Sequence, residues 1–193
     1  MIEITHQTIN DLVDVIERGK GVKFVCINDN FLYKMAMKKL AKKLGIIKEL
    51  SDKFLENYAI TMPWMFGKNI VVTPYRLDDR KIDPVRKLSL IAHEFQHVLD
   101  AQEKGFKKFY FDYVENSAAR AVYEARAIGA EIEVLSFIGH QDRKTSQFGS
   151  MLYMFNHDDL AVITKHIDRV RKSQLGPSSD SARLIKDSLL NGI

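Results

Sequence analysis

One cysteine, one tryptophan and four prolines are all that the 193 residues contain of these types. With Cys26 alone, no intrachain disulfide can form, which excludes a small disulfide-stapled scaffold. Cys26 sits in the apolar run Val22–Ile27 and reads as a small buried hydrophobe, in keeping with a reducing compartment. Proline and glycine are too sparse for a fibrous or low-complexity chain, and no internal repeat is visible. No apolar run approaches the ~20 residues that a membrane span needs. Met1–Asp14 carries acids and no apolar core, so it does not read as a secretory signal, and a cytoplasmic location is expected. An excess of charge of one sign is also missing. The 29 Lys and Arg are interspersed with 25 Asp and Glu, for a formal net charge of +4. The pairs Lys38-Lys39, Lys42-Lys43 and Lys107-Lys108 read as solvated faces. No nucleic-acid motif accompanies them, so neither nucleic acid nor a membrane is expected as a partner.

What remains is an ordinary globular composition, 46% hydrophobic and 28% charged, with enough chain for one core. Ile9, Leu12, Val13 and Ile16 recur at helical spacing and predict a helix over Thr8–Glu17, stopped by Gly19-Lys20-Gly21. Val22–Ile27 reads as a strand. Asp29 can cap a helix from about 31 to 44, and a shorter helix is expected near 48–57. Tyr58–Met62 and Asn69–Thr73 read as two strands joined by a turn over Pro63–Gly67. From Asp83 onward the pattern is helical, over about 84–104, 114–138, 145–155, 157–173 and 180–190. The fold class expected is α+β, a small N-terminal sheet with helices followed by a mainly helical half. Residues 1–175 are expected to form a single domain. Residues 176–193, opening on Gly176-Pro177-Ser178-Ser179, are expected to form a linker and a loosely attached short helix.

The segment 84–104 has the clearest boundaries in the chain. Asp83 stands at the N-cap, Pro84 at the first helical position and Gly105 just past the end. Inside it lies His93-Glu94-Phe95-Gln96-His97. Histidines four residues apart project from one face, one turn apart, so both imidazoles can reach one ion at the ~2.0–2.1 Å that zinc requires. Glu94 points about a quarter-turn away and can flank a metal-bound water without ligating the metal. Its expected role is general base and then general acid. The plain alternative is a pair of histidines satisfied by nearby carboxylates.

This motif resembles that of the zincin metallopeptidases. The resemblance implies a Zn²⁺ cofactor, a third protein ligand and an open fourth position. A third histidine at metzincin spacing is absent, because Asp100 and Glu103 stand where Gly and His would be. The gluzincin arrangement takes a glutamate from a following helix. Tyr123-Glu124-Ala125-Arg126-Ala127-Ile128-Gly129-Ala130-Glu131 resembles the Tyr-Glu-x-x-Ala-x-x-x-Glu stretch of small gluzincin-like domains of phage and bacteria. By that comparison Glu124 is the third ligand, with Glu131 and Glu115 as alternatives. Glu131 is also a candidate to orient His93 or His97. Arg126 departs from the pattern, which often has a second acid there. The small residues Ala118, Ala119, Ala121, Ala125, Ala127, Gly129 and Ala130 keep this helix low enough to approach the metal helix closely.

For the developing oxyanion a donor is needed, and Tyr153 and His157 are the candidates preferred over His140, Arg126 and Tyr123. The aromatic stretch Phe106–Tyr113 is expected to pack in the core, with a roof over the cleft as the other possibility. The resemblance further implies a peptide or protein substrate laid along an edge strand, for which Asn69–Thr73 is the expected strand. The function expected is zinc-dependent hydrolysis of peptide or peptidoglycan-peptide amide bonds. The alternative is a phage-type structural or assembly protein, virion-associated, that retains the zinc site. Oligomeric state is not legible, beyond that particle assembly is compatible with the second reading.

Overall fold

The computed structural model describes residues 2–29, 31–32, 34–35, 38–39, 59–65, 68–140, 155–173 and 179–192, with 62–65 and 68 as backbone alone. The class is α+β, mainly helical, with a small sheet. Helix α1 (His6–Lys20) starts at a capping box, in which Thr5 and Thr8 exchange side-chain-to-backbone bonds. It stops at Gly21, whose φ of 61° is the left-handed conformation that glycine adopts without strain. Ile9, Leu12 and Ile16 form its buried stripe. Strand β1 (Val22–Cys26) and a short 3₁₀ turn (Ile27–Asp29) follow, with Cys26 buried and its thiol free.

Strands β2 (Ile60–Met65) and β3 (Lys68–Thr73) complete a sheet of order β1-β3-β2. β3 runs parallel to β1 and antiparallel to β2. This overturns the expected edge role of Asn69–Thr73. Ile70, Val71 and Val72 are buried with a partner strand on each side, so no substrate strand can add there. The expected turn at Pro63 is also displaced. β2 continues through Pro63 to Met65, with a register irregularity between Met62 and Met65. A proline that cannot donate to the ladder is tolerated at such a bulge or on an edge strand.

Among the described residues that follow, the helices are α2 (Pro84–Lys104), α3 (Phe106–Glu115), α4 (Ser117–Phe137), α5 (His157–Lys172) and α6 (Asp180–Leu190). The helix expected over 114–138 is α4, which starts at Ser117, and Val114 and Glu115 close α3. Asn116 is extended (φ −126°, ψ 104°) and its side chain accepts a bond from Ala119 N at 3.0 Å, capping α4 and parting it from α3. Of the helix expected over 31–44, residues 31–32, 34–35 and 38–39 have helical backbone. The rest of it, the 48–57 helix and most of the 145–155 helix lie outside the described residues.

α2 runs through the centre. Its Leu88, Ile91, Ala92, Phe95 and Val98 are fully buried, among Ile9, Leu12 and Ile16 of α1, Val71 of β3, Val134 and Leu135 of α4, and Ala182 and Ile185 of α6. Each large apolar side chain so buried contributes about 1.5–3 kcal/mol. α6 is therefore part of the main core and not the loose appendage expected. Ser181 also donates to the Ala92 carbonyl of α2 at 2.9 Å. Among the described residues no helix is long and apolar enough to cross a membrane.

Candidate metal centre

Asp83 accepts bonds from the Val85 and Arg86 amides, and Pro84 takes the first turn, so α2 starts where the sequence places it. Its middle presents His93 and His97 on the side that faces α4. The two rings lie edge to face, 5.0 Å between centroids. α4 crosses close to α2 and carries Glu124, buried, into the gap between them. Glu124 Oε2 is 3.4 Å from His93 Nε2, and Oε1 is 3.2 Å from His97 Nε2. One donor atom from each of His93, His97 and Glu124 lies within 4.8 Å of the others. Such a group, two imidazole nitrogens and a carboxylate oxygen, can hold a metal ion.

Burial works against charge on both sides of this contact, and the pairing outweighs it. The imidazole of His93 would be lowered by burial, but the Glu124 and Glu131 carboxylates hold it well above its ordinary value. The Glu124 carboxyl, opposed by burial, is held far below the usual carboxylate range by the two imidazoles. Both shifts favour a protonated His93 facing an ionised Glu124.

Glu94 stays outside this group. Burial pushes its carboxyl up, against the pull of the neighbouring imidazoles. Thr61 of β2, itself buried, donates from one hydroxyl toward Glu94 Oε2 (3.0 Å) and the Glu94 carbonyl (3.1 Å). Glu131, two turns beyond Glu124 on α4, faces His93 Nδ1 at 3.7 Å and accepts from Ser89 at 2.6 Å. Glu131 thus stands behind a histidine and not in the three-residue group, and Glu115 is exposed at the end of α3.

Arg126 reaches the buried Asp100 at 3.0 Å and Glu103 at 3.5 Å, both on α2. The small residues of α4 divide between two neighbours. Ala121 and Ala125 pack on Ile163 and Ile167 of α5. A Cβ on Gly129 would lie 2.8 Å from His166 Nε2, so glycine permits this close crossing. On the α2 side, Ala127 shares a face with Glu124 and Glu131.

Sequence reasoning missed two residues here. Thr61 carries no signal, being one threonine in a β-like run. Tyr113 lay in the aromatic stretch read as core. That stretch is α3, and it sets Tyr113 edge-on to the His97 ring (5.7 Å) and stacked on Phe109. The Tyr113 hydroxyl donates to Glu124 Oε1. Of the residues named as oxyanion donors, Tyr153 lies outside the described residues. His157 is the first residue of α5, with its ring fully exposed beside Asp158. His140 is exposed, Arg126 is engaged as above, and the Tyr123 hydroxyl faces Asp112 at 3.3 Å. No protein-family model matches the chain, and no curated protein or solved structure matches it either.

Proposed function

We propose that the chain is a zinc-dependent metallopeptidase of the zincin type, hydrolysing amide bonds of a peptide or peptidoglycan peptide. One observation carries this reading. The two imidazole nitrogens stand 3.4 and 3.2 Å from the Glu124 oxygens. A tetrahedral zinc ion with bonds of ~2.0–2.1 Å holds its ligand atoms about 3.3–3.4 Å apart. The 3.4 Å between His93 Nε2 and Glu124 Oε2 fits that geometry, and two histidines with one glutamate are a donor set that leaves a position for water.

Bound zinc would polarise the scissile carbonyl and lower the pKa of its water toward ~7. The remaining work belongs to the chain. His93, His97 and Glu124 hold the ion. Glu94, its carboxylate steadied by Thr61 and its proton affinity raised by burial, is suited to take a proton from water and give it to the leaving amine. A site kept only for stability has no use for that acid, which favours catalysis over a purely structural ion. The strand beside α2 is β2, and among the described residues it pairs on one side only, with β3. An extended peptide can add to its other edge.

Metal analysis of the purified protein, with the His93→Ala and Glu94→Gln variants, tests the reading. Wild type should hold one zinc per chain and cut some member of a peptide and muropeptide library. His93→Ala should lose the zinc, and Glu94→Gln should keep it and cut nothing. Protein that takes up no zinc from a zinc-replete buffer sinks the proposal. Stoichiometric zinc with no hydrolysis by wild type would favour the assembly role instead.

A further inference from the structure

Tyr113 is tied to α4 at both ends. Its hydroxyl donates to Glu124 Oε1. Its backbone carbonyl accepts from the guanidinium of Arg120 at 2.7 Å, and Arg120 is buried on α4 one turn before Glu124. Its ring is wedged between His97 and Phe109. A residue that was merely filling space would need neither bond.

We propose that Tyr113 is a positioning residue of the metal centre, engaging one oxygen of Glu124 so that the carboxylate offers only the other to the ion. This inference rests on the metal reading above. The chemistry is a competition for lone pairs. A carboxylate with both oxygens free can ligate through both, filling two positions. A phenol donating to Oε1 draws electron density from that oxygen and fixes its direction, which leaves Oε2 as the better ligand. One coordination position would then be kept for water. The same bond holds the Glu124 rotamer ready before the metal arrives.

Cobalt(II) reports coordination number directly, because four-coordinate cobalt absorbs visible light more strongly than five- or six-coordinate cobalt. The experiment compares cobalt titrations of wild type, Tyr113→Phe and Tyr123→Phe. Tyr113→Phe keeps the ring and removes the hydroxyl. Tyr123→Phe removes a hydroxyl from the same aromatic cluster that bonds Asp112 and not Glu124. Tyr113→Phe should show a weaker visible band and metal affinity lower by about 10–100-fold. Tyr123→Phe should match wild type, and thermal melts of the metal-free proteins should show both variants folded. A Tyr113→Phe spectrum identical to wild type overturns the inference, whatever its affinity, and leaves the metal reading standing. Wild type that binds no cobalt or zinc overturns both.

Discussion

Arg126 of α4 reaches 3.0 Å across to Asp100 of α2, whose side chain is fully buried. Each is a departure from a known pattern. Asp100 stands where a metzincin-type site would have glycine, and Arg126 where gluzincin-like domains often have a second acid. The two side chains answer each other, because a buried carboxylate on α2 needs a cation from its neighbour. Gln96 adds a hydrogen bond to the same oxygen at 3.0 Å. The pair therefore clamps the helices that carry the candidate ligands.

Arg126→Met should cost about 3 kcal/mol, the low end for leaving a buried charge unpaired, since the guanidinium is itself a third exposed. Adding Asp100→Asn should recover most of that loss. Urea unfolding of the single and double variants measures both. Additive losses would mean the two side chains do not depend on each other.

Zinc affinity should rise with pH. Zinc needs an unprotonated nitrogen on His93, and in the metal-free site the Glu124 and Glu131 carboxylates hold that imidazole protonated well above 6.5. For the metal-free fold the sign is opposite. A raised histidine stabilises fully below 6.5 and loses that contribution as pH climbs through the folded value. Calorimetric titrations in buffers of differing ionisation enthalpy should detect proton release on binding. Thermal melts should show zinc stabilising the protein more as pH rises. Affinity that is flat from pH 6.5 upward would contradict this.

Thr61→Val should keep zinc and lower kcat by about 10–100-fold, the usual cost of losing a bond that orients a group at a metal site. The valine preserves shape but leaves Glu94 Oε2 and the Glu94 carbonyl without the hydroxyl that holds them. Thr61→Ser should restore the rate. Steady-state kinetics with a metal assay distinguish this from simple loss of the site, and an unchanged kcat in Thr61→Val would remove Thr61 from the account.

Ile185→Ala should destabilise the protein by about 2–5 kcal/mol, the range for emptying a well-packed aliphatic site. Ile185 is fully buried in the main core although it lies eight residues from the chain's last residue. Denaturation would show one cooperative transition at lower denaturant. A change under about 0.5 kcal/mol, as for surface substitutions, would mean that α6 is the loose element its flanking Gly and Pro suggest.

Much of this protein was determined locally. Helical spacing, an aspartate cap, a proline at the first turn and a closing glycine were enough to bound α2, because those effects act within four residues. The four-residue separation of His93 and His97 likewise puts both rings on one face of any helix they join. Asn116, which caps α4, is a residue type that favours that position. Other features belong to contacts distant in sequence. Which strand lies inside the sheet follows from pairing β1 with β3 across more than forty residues, and nothing in Asn69–Thr73 itself reports it. Glu124 could be nominated by resemblance, but its place between the two imidazoles depends on how closely α4 crosses α2. Tyr113 and Thr61 reach the site through helix and strand placement alone. Their side chains bond to atoms 11 and 33 residues away, a distance over which local sequence has no hold.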